Sequence, residues 1–256
     1  MPDGVTVSIT QGRSDYSSRT IGLRVSNGSD ADVPLERAAF DSPNFVAPAV
    51  WERGTVLRAG TTVDLRVVLP ASECSPDGDV AAAVILDYTV EGKARTGRAT
   101  PTDPTGRLAA ITGEDCLGQE VASIASIVAA PTLRWTPGGR APASVDLAVT
   151  PTGAEGAFRV VAVDDTVLLA VVDAAGVRVE SLPVDAAVTG SDAASTITVR
   201  FVPNRCDPHA VLEDKRGTFL PLNVETDSGA AGVVFVGVTD DVRGAIYDYV
   251  GDYCGF

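Results

Sequence analysis

The chain has 256 residues, of which 45% are hydrophobic, and its 34 acidic and 20 basic side chains give a formal net charge of −14. This length and apolar content suffice for one or two domains with a buried core, which excludes a wholly disordered chain. The negative charge argues against nucleic acid and acidic membranes as partners. One His and one Met are too few for a multi-His metal site or a Met-rich copper site. We therefore expect no nucleic-acid partner, no cofactor and no metal.

The first half of the chain has the pattern of short β-strands. Apolar and polar residues alternate over residues 5–9 and 21–25, which is typical of half-buried strands. Residues 80–90 and 94–99 are separated by a Gly-containing turn and predict a hairpin. About seven short strands predict an immunoglobulin-like β-sandwich over residues 1–117.

The same pattern restarts in the second half. Predicted strands there include residues 121–128, 133–135 and 177–180, and a second hairpin is expected to turn at residues 227–229. The sequence thus predicts an all-β chain with a second immunoglobulin-like sandwich over residues 118–256.

Two segments indicate that the second half is an internal repeat of the first. Residues 106–116 align without gaps on residues 244–254, with Gly, apolar, acidic and Cys residues at the same spacing. Short helices are predicted at residues 105–113 and 243–250. Each of them is expected to deliver a Cys after one or two turns.

The four cysteines occupy matching places in the two halves. The economical pairing is Cys74–Cys116 and Cys206–Cys254, and each bridge would stabilise its domain by roughly 4 kcal/mol. Four reduced, buried thiols are the alternative, whereas a zinc site is disfavoured because no Cys-x₂₋₄-Cys spacing occurs. Because disulfides persist outside the cytosol, the pairing predicts an extracellular or cell-envelope location.

This tandem arrangement of sandwiches and cysteines resembles secreted or lipid-anchored two-domain proteins of actinobacteria with immunoglobulin-like folds. Residues 205–217, Arg-Cys-Asp-Pro-His-Ala-Val-Leu-Glu-Asp-Lys-Arg-Gly, are similar to segments of such proteins. The resemblance implies a fold and a location, but no activity. Neither Cys pair brackets a core Trp as in antibody domains, so we expect the bridges to tie loops or helices to each sandwich.

Seven residues of the second half are candidates for a binding surface, because they combine aromatic side chains, which interfaces favour, with charged or polar neighbours. They are Tyr247, Tyr249, Tyr253, Phe256, His209, Glu213 and Asp214. Two alternatives stay open: Tyr249 is a core residue equivalent to Ile111, and the charged run at 213–216 is a solvated face. His209 is expected in a turn or short helix capped by Asp207, since a disulfide would consume the neighbouring Cys206.

The sequence contains no recognisable catalytic set. It lacks the Gly-x-Ser-x-Gly elbow and the Gly-rich phosphate loops. Acidic residues at Asp164-Asp165 and Asp240-Asp241, with Asp248 and Asp252, are compatible with Ca²⁺ ligands, but no calcium-loop motif accompanies them. We predict no catalytic residue, and therefore that the chain is not an enzyme.

These observations favour a non-enzymatic extracellular or cell-envelope protein that acts as an adhesion, assembly or protein-binding module. The alternative is a solute- or metal-binding accessory protein of an envelope transport system. The expected partner is another protein or an envelope component. No transmembrane segment is predicted, and Met1-Pro2-Asp3-Gly4 does not begin a signal peptide. This location would therefore require a signal or lipid anchor upstream of residue 1.

Overall fold

The computed structural model describes residues 1–16, 18–74, 82–212, 214 and 218–256. The chain divides into two compact units, Met1–Cys116 and Leu117–Phe256. The structure confirms that the chain is mostly β, with antiparallel sheets in two sandwich-like bodies.

The first unit packs two antiparallel sheets around one core. Its strands are β1 (Val5–Thr10), β2 (Thr20–Asn27), β3 (Val33–Asp41), β4 (Ala49–Trp51), β5 (Thr55–Leu57), β6 (Thr62–Val68), β7 (Ala83–Val90) and β8 (Lys93–Ala99). One sheet has the order β1-β2-β6, and the other has the order β4-β3-β7-β8, with β5 also paired to β3. Alternate residues of both sheets, such as Leu23 and Leu86, are buried between them, which explains the period of two seen in the sequence.

The second unit also has eight strands, in nearly the same pairing order. Its strands are β9 (Ala125–Ala129), β10 (Ala143–Pro151), β11 (Ala157–Asp164), β12 (Leu169–Val171), β13 (Ser181–Thr189), β14 (Ser195–Pro203), β15 (Phe219–Thr226) and β16 (Ala231–Gly237). One sheet is β12-β14-β10-β9 and the other is β13-β11-β15-β16. In chain order these pairings repeat those of the first unit, except that β12 is added beside β14 and the single strand β13 takes the place of β4 and β5. Residues such as Leu147, Phe201 and Leu222 fill the core.

Both predicted disulfides are present. Cys74 is bonded to Cys116 and Cys206 to Cys254, with Cα–Cα distances of 5.4 and 5.2 Å. Cys116 lies in helix α1 (Arg107–Ile124) and Cys254 is the last residue of helix α3 (Asp240–Cys254). Each bridge therefore ties a helix to the segment that follows β6 or β14, as the sequence predicted.

Both helices are longer than predicted, and each has an identifiable start or end. The Asp103 carboxylate accepts hydrogen bonds from the amides of Arg107 and Leu108 at the start of α1. The helix continues to Ile124, so the strand predicted from residue 121 begins only at Ala125. In α3, Thr239 caps the first turn and Gly255 ends the helix at a φ of 80°.

Some predicted strands are shorter or absent among the described residues. Residues 133–135 and 177–180 contribute only the isolated bridges Arg134↔Ser144 and Val172↔Arg178. The hairpin β7–β8 is present, although residues 80 and 81 of its predicted first strand lie outside the described part. Its turn residues Glu91 and Gly92 have φ of 52° and 73°, as a two-residue turn of type I′ requires.

One carboxylate of the second unit makes stability depend on pH. Asp146 accepts hydrogen bonds from Arg134 and from the Thr198 hydroxyl (2.7 Å), and these bonds lower its pKa to about 2. Because the folded-state pKa lies below the unfolded one, the stabilisation is complete above about pH 4 and disappears as the pH falls towards 2. We expect Asp146→Asn to lack this acid-dependent loss, as measured by urea unfolding at a series of pH values. Parallel losses in the variant and the wild type would contradict the assignment.

Candidate functional site

The structure connects two of the predicted site residues through a hydrogen bond. Tyr247 lies on α3, and its hydroxyl donates to the Asp214 carboxylate at 2.9 Å. Partial burial and the adjacent carboxylate together raise the pKa of Tyr247 to about 12. This contact ties α3 to Asp214, which lies two residues beyond the short helix α2 (Pro208–Leu212). Glu213, the neighbouring predicted residue, lies outside the described residues.

Tyr249 is a core residue, which corrects its assignment to a binding surface. Its side chain is 1% exposed and its ring packs edge-on against Trp135, Phe201 and Tyr253. Its hydroxyl accepts a hydrogen bond from the Ala143 amide (3.3 Å) and lies 3.1 Å from the Ala141 carbonyl oxygen. Burial raises its pKa to about 12. A partner therefore cannot reach this side chain without unfolding the unit.

The remaining predicted residues are spread along this end of the unit. Tyr253 is partly buried, with the Arg140 guanidinium 6.0 Å from its ring centroid. Phe256 is 53% exposed, and His209 is exposed on α2, where its amide donates to the Asp207 carboxylate as predicted for a capped turn. Phe256 and His209 are thus accessible, while the Tyr249–Tyr253 pair supports the core.

Three of the acidic candidates accept hydrogen bonds within the second unit. Asp164 accepts from the Ser181 hydroxyl, Asp165 from the Val171 amide, and Asp252 from the Gly138 amide. Among the described residues, no group of three or more His, Cys, Asp or Glu side chains could hold a metal ion. In the same part of the chain, no helix is long and apolar enough to cross a membrane.

A different surface, which the sequence analysis missed, lies on the sheet β13-β11-β15-β16. On β15, Leu220, Leu222 and Val224 are buried in the core. The intervening residues of β15 therefore face away from the core, and their cross-strand partners on β16 lie on the same face. The register pairs Pro221 with Phe235 and Asn223 with Val233. The outward series ends beside the turn with Glu225 and its partner Ala231. We call the outward residues away from the turn, Phe219, Pro221, Asn223, Val233 and Phe235, the β15–β16 face.

The β15–β16 face is apolar at most positions, whereas the outer face of an antiparallel sheet is usually polar. Phe235 is 36% exposed, Phe219 and Val233 are partly exposed, and Pro221 is buried beneath its neighbours. A Cβ atom at Gly237 would lie 3.0 Å from the Phe219 ring, so this ring covers the glycine opposite it. The face thus combines aromatic, aliphatic and Pro side chains with one amide.

The equivalent hairpin of the first unit is polar on its outer face. Its outward residues on β7 and β8 include Asp87, Thr89, Thr96 and Arg98. Thr96 donates to Asp87 at 2.7 Å, and the Arg98 guanidinium lies 3.6 Å from the carboxylate of Asp41. Because the two hairpins occupy equivalent places in one chain, the apolar character of the β15–β16 face does not follow from the fold alone.

The sequence did contain a signal for this surface. Residues 219–222 and 233–236 are apolar without alternation, a pattern typical of strands that are covered on both faces. These runs flank the hairpin turn that the sequence predicts at residues 227–229.

Comparison with known proteins identifies no relative by sequence: neither a protein family nor a curated protein matches the chain. Among solved structures, the YadV chaperone is similar with a TM-score of 0.28 and 12% identity, over 91% of this chain and 100% of that one. The B domain of a biofilm-associated protein is similar with a TM-score of 0.24 and 10% identity, over 92% of this chain and 83% of that one. The calcium-binding domain CBD12 of CALX1.1 is similar with a TM-score of 0.23 and 8% identity, over 91% of this chain and 87% of that one. Likeness at this level establishes neither a shared family nor a shared function.

Proposed function

We propose that the chain is a non-enzymatic extracellular or cell-envelope protein, built of two immunoglobulin-like sandwiches, that binds another protein through its second unit. The pairing orders support the immunoglobulin-like class. In the first unit β1, β2 and β6 share one sheet while β3, β7 and β8 share the other, as strands A, B, E and C, F, G do in that class. The second unit repeats this arrangement.

The two disulfides support a location outside the cytosol. Cytosolic thiols are kept reduced, so two intrachain bridges within matching parts of the units are typical of secreted or envelope proteins. A module exposed to that environment also gains resistance to unfolding from each bridge.

The observation that carries the proposal is the difference between the β15–β16 face and the equivalent face of the first unit. Interface cores are enriched in aromatic residues and depleted of charge, and this composition distinguishes the β15–β16 face from the face that bears Asp87 and Arg98. The fitting occupant is a polypeptide with its own apolar side chains, because such a partner removes Phe235 and Val233 from water.

Site-specific photo-crosslinking tests this function. A photoreactive amino acid replaces Phe235 in one variant and Arg98, the matched control, in the other, and both are exposed to the envelope and extracellular proteins of the producing cell. We expect one recurrent polypeptide to be crosslinked from position 235 only. Purified, that polypeptide should bind the wild-type chain, and Phe235→Asp should weaken the binding by about tenfold or more.

Three results would contradict the proposal. They are equal crosslinking from both positions, binding that Phe235→Asp leaves unchanged, and saturable binding of Ca²⁺, Zn²⁺ or a small solute that raises the melting temperature in the absence of any protein partner. The last result would favour the solute-binding alternative.

A further inference from the structure

We infer that β16 is a docking edge to which an extended segment of the partner adds as a further strand, with apolar residues at alternate positions and basic residues at its ends. This inference rests on the proposed function and specifies the partner that the β15–β16 face receives. Strand addition supplies main-chain hydrogen bonds for affinity, while alternate side chains of the added strand supply specificity.

Within the part of the chain that the structure describes, the edge of β16 shows none of the features that usually prevent pairing with another chain. Among the described strands β16 is hydrogen-bonded only to β15, in an unbroken register of seven residue pairs. Its sequence, Ala-Gly-Val-Val-Phe-Val-Gly, contains no charge and no Pro. Four of its seven residues are exposed: Ala231, Gly232, Phe235 and Gly237. A long, regular and uncharged edge of this kind is a template for another strand.

The other long edges of the two units are protected. β8 carries Lys93, Arg95 and Arg98, and β6 carries Asp64 and Arg66. On β13 there is a Pro, and Asp185 at a φ of 49° lies where the register with β11 shifts. β1 is covered by Thr102, which exchanges hydrogen bonds with Val7 and Ile9. The remaining edge strands β4, β5, β9 and β12 have five residues or fewer.

Charge at the two ends of β16 favours a basic partner over a second copy of this chain. Asp227 precedes the strand, Asp240 and Asp241 follow it, and all three are exposed. Arg243 lies 3.0 Å from Asp240 and offsets part of this charge. Pairing β16 with a second β16, parallel or antiparallel, would set acidic groups against acidic groups at both ends, and each chain carries −14 in total. Basic flanking residues instead match both ends.

The added strand would extend the β15–β16 face. Side chains on one face of that strand would lie beside Val233 and Phe235, since directly opposite residues of neighbouring strands share a face. The other face would point towards β9, the edge strand of the opposite sheet, which lies beside β16 but is hydrogen-bonded to β10. An alternation of apolar residues therefore fits the outer face, where the aromatic ring lies.

The test uses the full chain and three fluorescent peptides of about ten residues, the length of an ordinary strand. The first alternates Val and Thr and has lysines at both ends, the second has the same side chains but N-methylated backbone amides, and the third has glutamates in place of the lysines. Binding is followed by fluorescence anisotropy. We expect the first peptide to bind and the other two to bind about tenfold more weakly or worse. Added salt should reduce the advantage of lysine over glutamate.

A matched pair of protein variants locates the binding edge. Ala231→Lys places a charge at the start of β16, opposite Glu225, and should weaken binding of the lysine peptide by about tenfold. Ala94→Lys makes the same change on β8 and should leave the binding unchanged.

The other possible outcomes overturn the inference, and each points to a different alternative. If the N-methylated peptide binds as well as the first, or if no peptide binds, strand addition is wrong. In that case the proposed function is tested only by the crosslinking at position 235. Self-association of the chain that Ala231→Lys abolishes, measured by analytical ultracentrifugation, would show that the occupant is a second copy.

Discussion

Replacing Tyr249 with Ala is expected to lower the free energy of unfolding of the second unit by about 4 kcal/mol, because truncating a fully buried aromatic residue leaves a large cavity. The side chain is 1% exposed and contacts three other aromatic rings at centroid distances of 5.7 to 6.2 Å. Its loss would also leave the Ala143 amide without its hydroxyl partner. Urea unfolding followed by circular dichroism measures the change.

Two milder variants separate packing from hydrogen bonding. Tyr249→Phe keeps the ring and should cost about 1–2 kcal/mol, because the buried amide of Ala143 loses an acceptor. Tyr247→Phe removes a hydroxyl that bonds to Asp214 at the partly exposed side of α3 and should cost less. If Tyr249→Ala cost no more than Tyr247→Phe, Tyr249 would not be a core residue and its role as a surface contact would have to be reconsidered.

Removing the Cys206–Cys254 bridge is expected to destabilise the second unit by about 4 kcal/mol. The bridge closes a segment with a sequence separation of 48 residues, and its absence returns that chain entropy to the unfolded state. The double variant Cys206→Ser/Cys254→Ser avoids a lone thiol. Thermal unfolding, combined with hydrogen exchange resolved by peptide, measures the loss and shows which unit carries it.

The first unit provides a matched control for that experiment. Cys74→Ser/Cys116→Ser opens a segment with a separation of 42 residues and should cost a similar amount, with faster exchange in the first unit. The assignment of one stabilising bridge to each unit would be contradicted in two cases. In the first, a double variant accelerates exchange equally in both units; in the second, it accelerates exchange in neither unit.

The main features of the fold could be predicted because they depend on local patterns. Alternation with a period of two marks the strands, and the matched residues 106–116 and 244–254 place Cys116 and Cys254, one Cys of each pair, at equivalent positions. A disulfide pairing cannot usually be deduced from four cysteines. Here the internal repeat favours one bridge within each half, since cysteines at equivalent places in a repeat are expected to form equivalent bonds.

The helices were predicted too short because their ends depend on capping rather than on periodicity. Asp103 fixes the start of α1 through its carboxylate, and Thr239 and Gly255 delimit α3. The continuation of α1 to Ile124 was mistaken for a strand, because residues 121–128 are a short apolar run that is ambiguous between helix and strand. Tertiary packing of Leu117 and Val121 in the second core resolves that ambiguity.

The β15–β16 face could not be predicted from the seven binding candidates of the sequence, because none of them lies on it. Clustering of Tyr residues along the chain does not reveal which of them point inwards, and α3 turns Tyr249 into the core. The β15–β16 face depends instead on the register between two strands, which sets Phe235 opposite Pro221. Comparing the β15–β16 face with the equivalent hairpin of the first unit requires the folds of both units. That comparison shows that the apolar character of the face is specific to the second unit.

Hydrogen exchange of the chain with and without its crosslinked partner, resolved by peptide, tests the central claim most directly. If the second unit binds a protein through the β15–β16 face, exchange should slow in residues 219–237 and stay unchanged in residues 83–99, the equivalent hairpin of the first unit. Protection of residues 83–99 with no change in residues 219–237 would contradict that account.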